Sequence, residues 1–68
     1  MRPQPAKLVL VERGLRQIAV ARGIDVPPQT LNSVLNRRLA ASERIKRLLS
    51  EYLDVPIAEL FDDPEVAA

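Results

Sequence analysis

Short, neutral side chains that both donate and accept hydrogen bonds are grouped near the middle of the chain. The group comprises Gln29, Thr30, Asn32 and Ser33. Amides and hydroxyls of this kind can match the donor and acceptor pattern of DNA base edges without the cost of desolvating a full charge. The arginines that follow at positions 37 and 38 carry the charge that binds phosphates. The pattern favours contact with DNA, and its ordinary alternative is a solvated polar helix surface.

The residue types that most enzymes and metal sites require are missing. The chain has no Cys and no His among its 68 residues, which excludes thiolate chemistry, imidazole acid-base catalysis and the usual zinc sites. No glycine-rich loop follows a strand pattern to hold a phosphate group. We therefore expect a non-enzymatic protein without a cofactor, a metal ion or a small-molecule ligand.

The charges are segregated along the chain, although the formal net charge is only +1. All ten Lys and Arg residues lie within residues 1–50 together with three acids, whereas residues 51–68 contain six acids and no base. A cationic surface separated from an acidic end suits a polyanionic partner. The longest apolar run, Leu8–Val11, is too short to cross a membrane, and the first residues lack the apolar region of a signal peptide. We therefore expect a cytoplasmic protein with no membrane partner.

Glycine and proline divide the chain into helix-sized segments. Within each segment apolar residues recur at three- and four-residue spacing, and none alternates as a half-buried strand does. Pro28 suits the first position of a helix, Ser42 suits an N-cap, and Gly23 suits a helix end at which φ is positive. The predicted fold is all-α, a compact bundle of about five short helices. The predicted helices span Pro5–Arg13, Leu15–Arg22, Pro28–Arg38, Ser42–Leu53 and Pro56–Phe61.

The apolar stripes assign an inward face to each predicted helix. In the third helix the hydrogen-bonding group lies outside, opposite a stripe of Leu31, Val34, Leu35 and Leu39. Asp54 is expected to end the fourth helix. The other residues predicted to face inward are Leu8, Val11, Leu15, Ile18, Ala19, Ile45, Leu48, Leu49, Tyr52, Leu53, Ile57, Leu60 and Phe61.

Residues 6–61 form the predicted domain, between a flexible arm at 1–5 and an acidic tail at 62–68. A single core of this size gives limited stability, and neither disulfides nor zinc can add to it. We therefore expect self-association into a homodimer. Two apolar surfaces are candidates for the interface: Val9 with Leu10 on the first helix, and Ile57 with Phe61 on the fifth.

Three motifs, in order, resemble the helix-turn-helix domains of the Cro and lambda-repressor type, the XRE-like regulators. The segment LRQIAVARGI at 15–24 looks like the second helix of that family, with its terminal glycine. The segment TLNSVLN at 30–36 is similar to the recognition helix, and YLDVPIAELF at 52–61 to the closing short helix. The resemblance runs from about Leu8 to Phe61. The segment RQIAVARGI also looks like Ner-like phage regulators and the N-terminal DNA-binding domain of Mu-type transposition ATPases.

The resemblance implies a site in which the third helix enters the DNA major groove. It implies that phosphates are bound by residues at the start of the second helix and the end of the third, namely Arg16, Gln17, Asn36 and Arg37. Arg38 is assigned to phosphate by its charge and its place at the end of the third helix. It implies that the bases are faced by Pro28, Gln29, Asn32 and Ser33, with Thr30 at the groove edge. The connection from Gly23 to Thr30 is about two residues longer than the usual turn between such helices.

The expected function is sequence-specific binding of double-stranded DNA by a small transcriptional regulator of phage or bacterial type, a repressor or an activator. A homodimer would bind a nearly palindromic operator. Two alternatives are open. One is a helical protein-interaction module, antitoxin-like or an adaptor, whose basic face meets an acidic partner. The other is a DNA-tethering domain of a larger transposition protein.

Overall fold

Five helices account for most of residues 2–62, the part of the chain that the computed structural model describes. No strand occurs among these residues, so the predicted all-α fold is confirmed. None of their helices has the length and hydropathy that crossing a bilayer requires. The helices are α1 (Pro5–Glu12), α2 (Gln17–Gly23), α3 (Pro28–Leu35), α4 (Glu43–Leu53) and α5 (Ile57–Leu60).

Several helix ends lie at the residues that the sequence predicts. Pro28 occupies the first position of α3, where its missing N–H costs no helical hydrogen bond. The Ser42 hydroxyl accepts a hydrogen bond from the backbone N–H of Ile45 at 3.2 Å, which caps α4. Asp54 ends α4 in a left-handed conformation, with φ 57°. Local chemistry therefore determines three of the boundaries that position the helices.

The centre of the core is the apolar stripe of α3. Leu31, Val34 and Leu35 are fully buried, because α3 packs against both α2 and α1. The helices α1 and α4 in turn pack on α5. Leu39, which was predicted to extend the stripe, lies beyond the end of α3 and is half exposed. The buried core consists of Ala6, Leu10, Val20, Ala21, Ile24, Val26, Leu31, Val34, Leu35, Leu49, Leu53, Leu60 and Phe61.

The predicted inward face of α1 is wrong. Leu8 and Val11 are 58% and 68% exposed, whereas Ala6 and Leu10 are buried. Apolar side chains surround most of this short helix, so their spacing fits more than one choice of inward face. Packing against α3 and α5 selects the face that contains Leu10.

The inward face predicted for α2 is also wrong. Leu15 and Ile18 are exposed, and so is Ala19, whereas Val20 and Ala21 have no exposed surface. Apolar residues again occur on several sides of the helix, and contact with α3 decides which of them become buried.

The surfaces proposed for a dimer interface belong largely to the core. Leu10 and Phe61 are only 2% and 6% exposed, and Val9 and Ile57 are partly buried against the core. These side chains are already used within the monomer. The exposed apolar side chains on α1 are instead Leu8 and Val11.

Gly23 is needed for a reason other than the predicted positive φ. The residue near this helix end that adopts positive φ is Asp25, at 58°, whereas Gly23 is still helical. A Cβ atom on Gly23 would lie 2.5 Å from Cε1 of Tyr52, well inside contact distance. The absence of a side chain at Gly23 therefore lets the Tyr52 ring pass across α2. Tyr52, predicted to face inward, remains 48% exposed.

The connection between α2 and α3 is shorter than the sequence comparison suggests. Because α3 begins at Pro28, only residues 24–27 separate the two helices, within the roughly three to four residues of a helix-turn-helix. Ile24 and Val26 are buried, and the backbone N–H of Val26 donates to the carbonyl of Ala21 at 2.9 Å. The left-handed backbone of Asp25 lies between these two buried side chains. The connection is thus a packed turn.

The third helix ends three residues before its predicted end. Its last residue is Leu35, Asn36 is the C-cap, and Arg37 follows with φ 62°. The backbone N–H of Arg38 then donates to the carbonyl of Ser33 at 2.8 Å, which closes the helix end as a glycine commonly does. Arg37 therefore occupies a backbone position at which glycine is favoured.

Both ends of the described chain attach to this end of α3. Gln4, which belongs to the predicted arm at residues 1–5, is 3% exposed, and its backbone N–H donates to the carbonyl of Leu35 at 2.8 Å. The side-chain oxygen of Gln4 accepts a hydrogen bond from the backbone N–H of Asp62 at 3.3 Å. Met1 and residues 63–68, which include nearly all of the predicted acidic tail, lie outside the described residues.

Arg37 connects the same two segments through its guanidinium. Its Nε donates to the carbonyl of Arg2 at 2.6 Å, and its Nη2 forms an ion pair with the carboxylate of Asp62. The Arg37 side chain is only 17% exposed. We call these contacts of Arg37 with Arg2 and Asp62 the terminal clasp.

We expect the two roles of Arg37 to be separable by substitution. Arg37→Ala removes the terminal clasp but keeps a Cβ in the left-handed conformation, and should lower the free energy of unfolding by about 1–2 kcal/mol. Arg37→Gly removes the same contacts without the backbone strain. Its free energy of unfolding should therefore be about 1 kcal/mol higher than that of Arg37→Ala. Urea denaturation of both variants measures the difference.

Arg38 provides a matched control, because it is the next residue and its φ is not positive. At that position Gly should be no more stable than Ala. An Arg37→Gly protein less stable than Arg37→Ala would contradict the assigned backbone strain.

Candidate nucleic-acid interface

Four polar side chains share the side of α3 opposite its buried stripe. Gln29, Asn32, Ser33 and Asn36 follow the three- and four-residue spacing that aligns side chains along a helix. Gln29 and Asn32 are exposed, and Ser33 and Asn36 are half-buried. We call these four residues the α3 polar face. It contains three of the residues predicted to face bases and one predicted to face phosphate.

The other two residues predicted to face bases flank this polar face. Pro28 is exposed at the start of α3, and Thr30 is half-buried. Helical geometry puts Thr30 beside the buried stripe, because it immediately precedes Leu31 and lies four residues before Val34. The structure thus brings together all five predicted base-facing residues on one helix, with Thr30 at the edge of its outer side.

The start of α2 lies beside the α3 polar face. Arg16 is the exposed N-cap residue of α2, and Gln17 is its first residue. The Nε2 of Gln17 donates to Oδ1 of Asn32 at 3.1 Å. Gln17 was predicted to contact phosphate, and in the structure its side chain bonds to a side chain of the polar face.

Asn36 belongs to the same set of hydrogen bonds. Its Nδ2 donates both to the backbone carbonyl of Asn32 and to Oδ1 of Asn32, each at 3.0 Å. Its Oδ1 accepts a hydrogen bond from Nζ of Lys7 at 3.0 Å. The series Lys7, Asn36, Asn32 and Gln17, which we call the amide chain, connects α1, α3 and α2.

Lys7 is absent from the predicted site residues. It lies in the first predicted helix, outside the arm assigned to residues 1–5, and is 29 residues from Asn36 along the chain. No local pattern indicates a contact over that separation. The packing of α1 against α3 brings Lys7 to the polar face, so the tertiary structure is what makes Lys7 part of the site.

Arg37 is not free to bind a phosphate in the way predicted. Its guanidinium already contacts the Arg2 carbonyl and the Asp62 carboxylate in the terminal clasp. A phosphate contact would require exchanging Asp62 for another anion. Arg38 is exposed, immediately after the residue that closes α3. The two adjacent arginines therefore have different surroundings that the sequence does not distinguish.

A metal site is not formed by the described part of the chain. Among residues 2–62, no group of three or more acidic side chains is placed so that it could hold a metal ion. The α3 polar face offers hydrogen bonding by amides and a hydroxyl, and Arg16 and Arg38 are exposed positive charges.

Comparison with known proteins identifies the family of this fold. A family model described as helix-turn-helix matches residues 7–60, which include all five helices except the first two residues of α1. No curated protein and no solved structure matches the chain significantly. The family consists of non-enzymatic, DNA-binding proteins. With its short α2–α3 turn and exposed α3 polar face, the chain belongs to the helix-turn-helix family of the Cro and lambda-repressor type.

Proposed function

We propose that this protein is a cytoplasmic transcriptional regulator of phage or bacterial type that binds double-stranded DNA sequence-specifically. The α3 polar face would enter the major groove, which is wide enough for a helix. The observation that carries the proposal is the exposure of Gln29 and Asn32 on the side of α3 opposite Leu31 and Val34. That face carries no acidic residue that would repel phosphates.

Phosphate contacts are assigned to residues that the fold leaves available. Arg16 is exposed at the N-cap of α2, and Arg38 is exposed just after the end of α3. Gln17, at the first position of α2, would reach a phosphate through its backbone N–H, because its side chain bonds to Asn32. Contacts of this kind set the register of the helix on the duplex. Arg37 and Asn36 support the site indirectly, because their side chains already bond within the protein. Pro28, Gln29, Thr30, Asn32 and Ser33 are retained as the base-facing set.

A homodimer completes the proposal. Leu8 and Val11 are exposed one helical turn apart on the outer side of α1, and exposed apolar groups on a domain of this size are a natural contact between subunits. Two copies related by twofold symmetry would present two α3 helices to half-sites about one DNA turn apart.

A titration of random-sequence duplex at several salt concentrations tests DNA binding. If one protomer contacts about four phosphates, affinity should fall by roughly three and a half orders of magnitude over a tenfold increase in salt. A helical module that binds an acidic protein instead would show no duplex binding at low salt. That result would remove the DNA proposal.

Substitutions should separate reading of bases from binding of phosphates. Gln29→Ala and Ser33→Ala should reduce the preference between DNA sequences, because each removes a hydrogen-bonding group facing the groove. Arg38→Ala should weaken binding to all duplexes about equally and reduce the salt slope by about one. Binding curves on a selected site and on a scrambled site measure both effects. The assignment is wrong if Arg38→Ala changes base preference while Gln29→Ala does not.

Analytical ultracentrifugation tests the dimer by measuring the mass of the protein alone and of its complex with its DNA site. Val11→Glu should shift the protein to a monomer that still folds, because Val11 is 68% exposed and takes no part in the core. The matched control is Glu12→Gln, which changes charge at the next exposed position of α1. A wild-type chain that remains monomeric on a palindromic site would refute the dimer and leave DNA binding intact.

A further inference from the structure

The order of donors and acceptors along the amide chain is fixed because the chain begins at a lysine. The ammonium group of Lys7 can only donate hydrogen bonds, so the atom of Asn36 that it contacts at 3.0 Å must be the oxygen. The nitrogen of Asn36 must then face Asn32, where it lies 3.0 Å from both the carbonyl and Oδ1. The orientation of an amide, which is ordinarily ambiguous, is thus determined by its partner.

The same order of donors and acceptors determines the orientation of the Asn32 amide. Its Oδ1 accepts one hydrogen bond from Asn36 and a second from Nε2 of Gln17 at 3.1 Å. A carbonyl oxygen has two lone pairs, so both acceptor positions of Asn32 are occupied. The Nδ2 of Asn32 donates to no protein group within residues 2–62, and the residue is exposed.

We propose that the amide chain leaves the side chain of Asn32 able to donate hydrogen bonds to a base but not to accept them. Asn32 would then select guanine and reject the pairing with adenine that asparagine commonly forms. This proposal rests on the proposed function, in which Asn32 faces the bases. Lys7, Asn36 and Gln17 act as positioning residues, since each acts through Asn32.

The base preference follows from the major-groove edges. Guanine presents two acceptors, N7 and O6, and each can accept a hydrogen bond from one N–H of the Asn32 amide. Adenine presents N7 beside a donor, N6–H, and its bidentate pairing needs a free acceptor on the amide. The Oδ1 of Asn32 is already occupied. Cytosine presents only a donor and is disfavoured most strongly.

Reversal of the amide chain is opposed at the end formed by Lys7. If Asn32 turned its oxygen toward the DNA, its nitrogen would face the nitrogens of Gln17 and Asn36. Asn36 would then either keep an N–H against the nitrogen of Asn32 or turn its own nitrogen toward Lys7, and each choice places donor against donor. The alternative orientation therefore loses either the bond between Asn36 and Oδ1 of Asn32 or the bond between Asn36 and charged Lys7, the strongest kind in the series.

The first test uses the free protein and no DNA. In nuclear magnetic resonance of the ¹⁵N-labelled chain, the side-chain NH₂ of Asn36 should exchange with water more slowly than that of Asn32. In Lys7→Met the difference should shrink. Equal exchange of the two groups in the wild-type protein would show that the amide chain does not form and would overturn the inference.

The second test selects bound sequences from a random duplex pool. The position contacted by Asn32 is identified as the one whose preference disappears in Asn32→Ala. The wild-type protein should select guanine there by about five- to a hundredfold over adenine. Lys7→Met frees the orientation of the amides, so adenine should become accepted at that position.

Arg22→Met is the matched control, because it removes one positive charge from an exposed residue outside the amide chain. It should leave the base preference unchanged, and thermal unfolding should show that both variants fold. Adenine or cytosine at the Asn32 position of the wild-type site, or an unaltered preference in Lys7→Met, would overturn the inference. If the wild-type protein enriches no sequence at all, the proposed function fails, whereas the exchange measurement still decides whether the amide chain exists.

Discussion

Burial of one apolar stripe on α3 sets the geometry of the whole site. Leu31, Val34 and Leu35 have no exposed surface, so the helix cannot rotate without exposing several large aliphatic side chains. Each of these would lose about 1.5–3 kcal/mol of burial free energy. The polar residues at the opposite side, Gln29 and Asn32 among them, are therefore held toward solvent. The same packing brings α1 and α2 against α3 and makes the amide chain between the three helices geometrically feasible.

The end of α3 is a second point on which several segments depend. The left-handed conformation of Arg37 turns the chain sharply and leaves its guanidinium beside the two ends of the described chain. Gln4, nearly fully buried, bonds to the carbonyl of Leu35 and to the backbone of Asp62. An arginine that looks like part of a cationic DNA-binding cluster thus contributes to closing the domain. Charge alone does not reveal that difference, because the relevant partners lie 35 and 25 residues away.

Much of the candidate site could be predicted because α3 has a unique apolar stripe. Its apolar residues occupy one side only, and the burial of Leu31, Val34 and Leu35 and the exposure of Gln29 agree with the periodicity. The helices α1 and α2 carry apolar residues on several sides. For them the period was consistent with Leu8 or Leu10, and with Ile18 or Val20, as inward residues. Periodicity has no means of choosing between such faces.

The sequence by itself determined the helical class, the start of α3 at Pro28, the cap at Ser42 and the turn at Asp54, because these depend on backbone chemistry within a few residues. Only the tertiary structure decided which side of α1 is buried, that Gly23 makes room for Tyr52, and that Lys7 meets Asn36. These features depend on contacts between segments far apart in sequence. Their energies arise only when the helices pack together, so no local pattern of residue types records them.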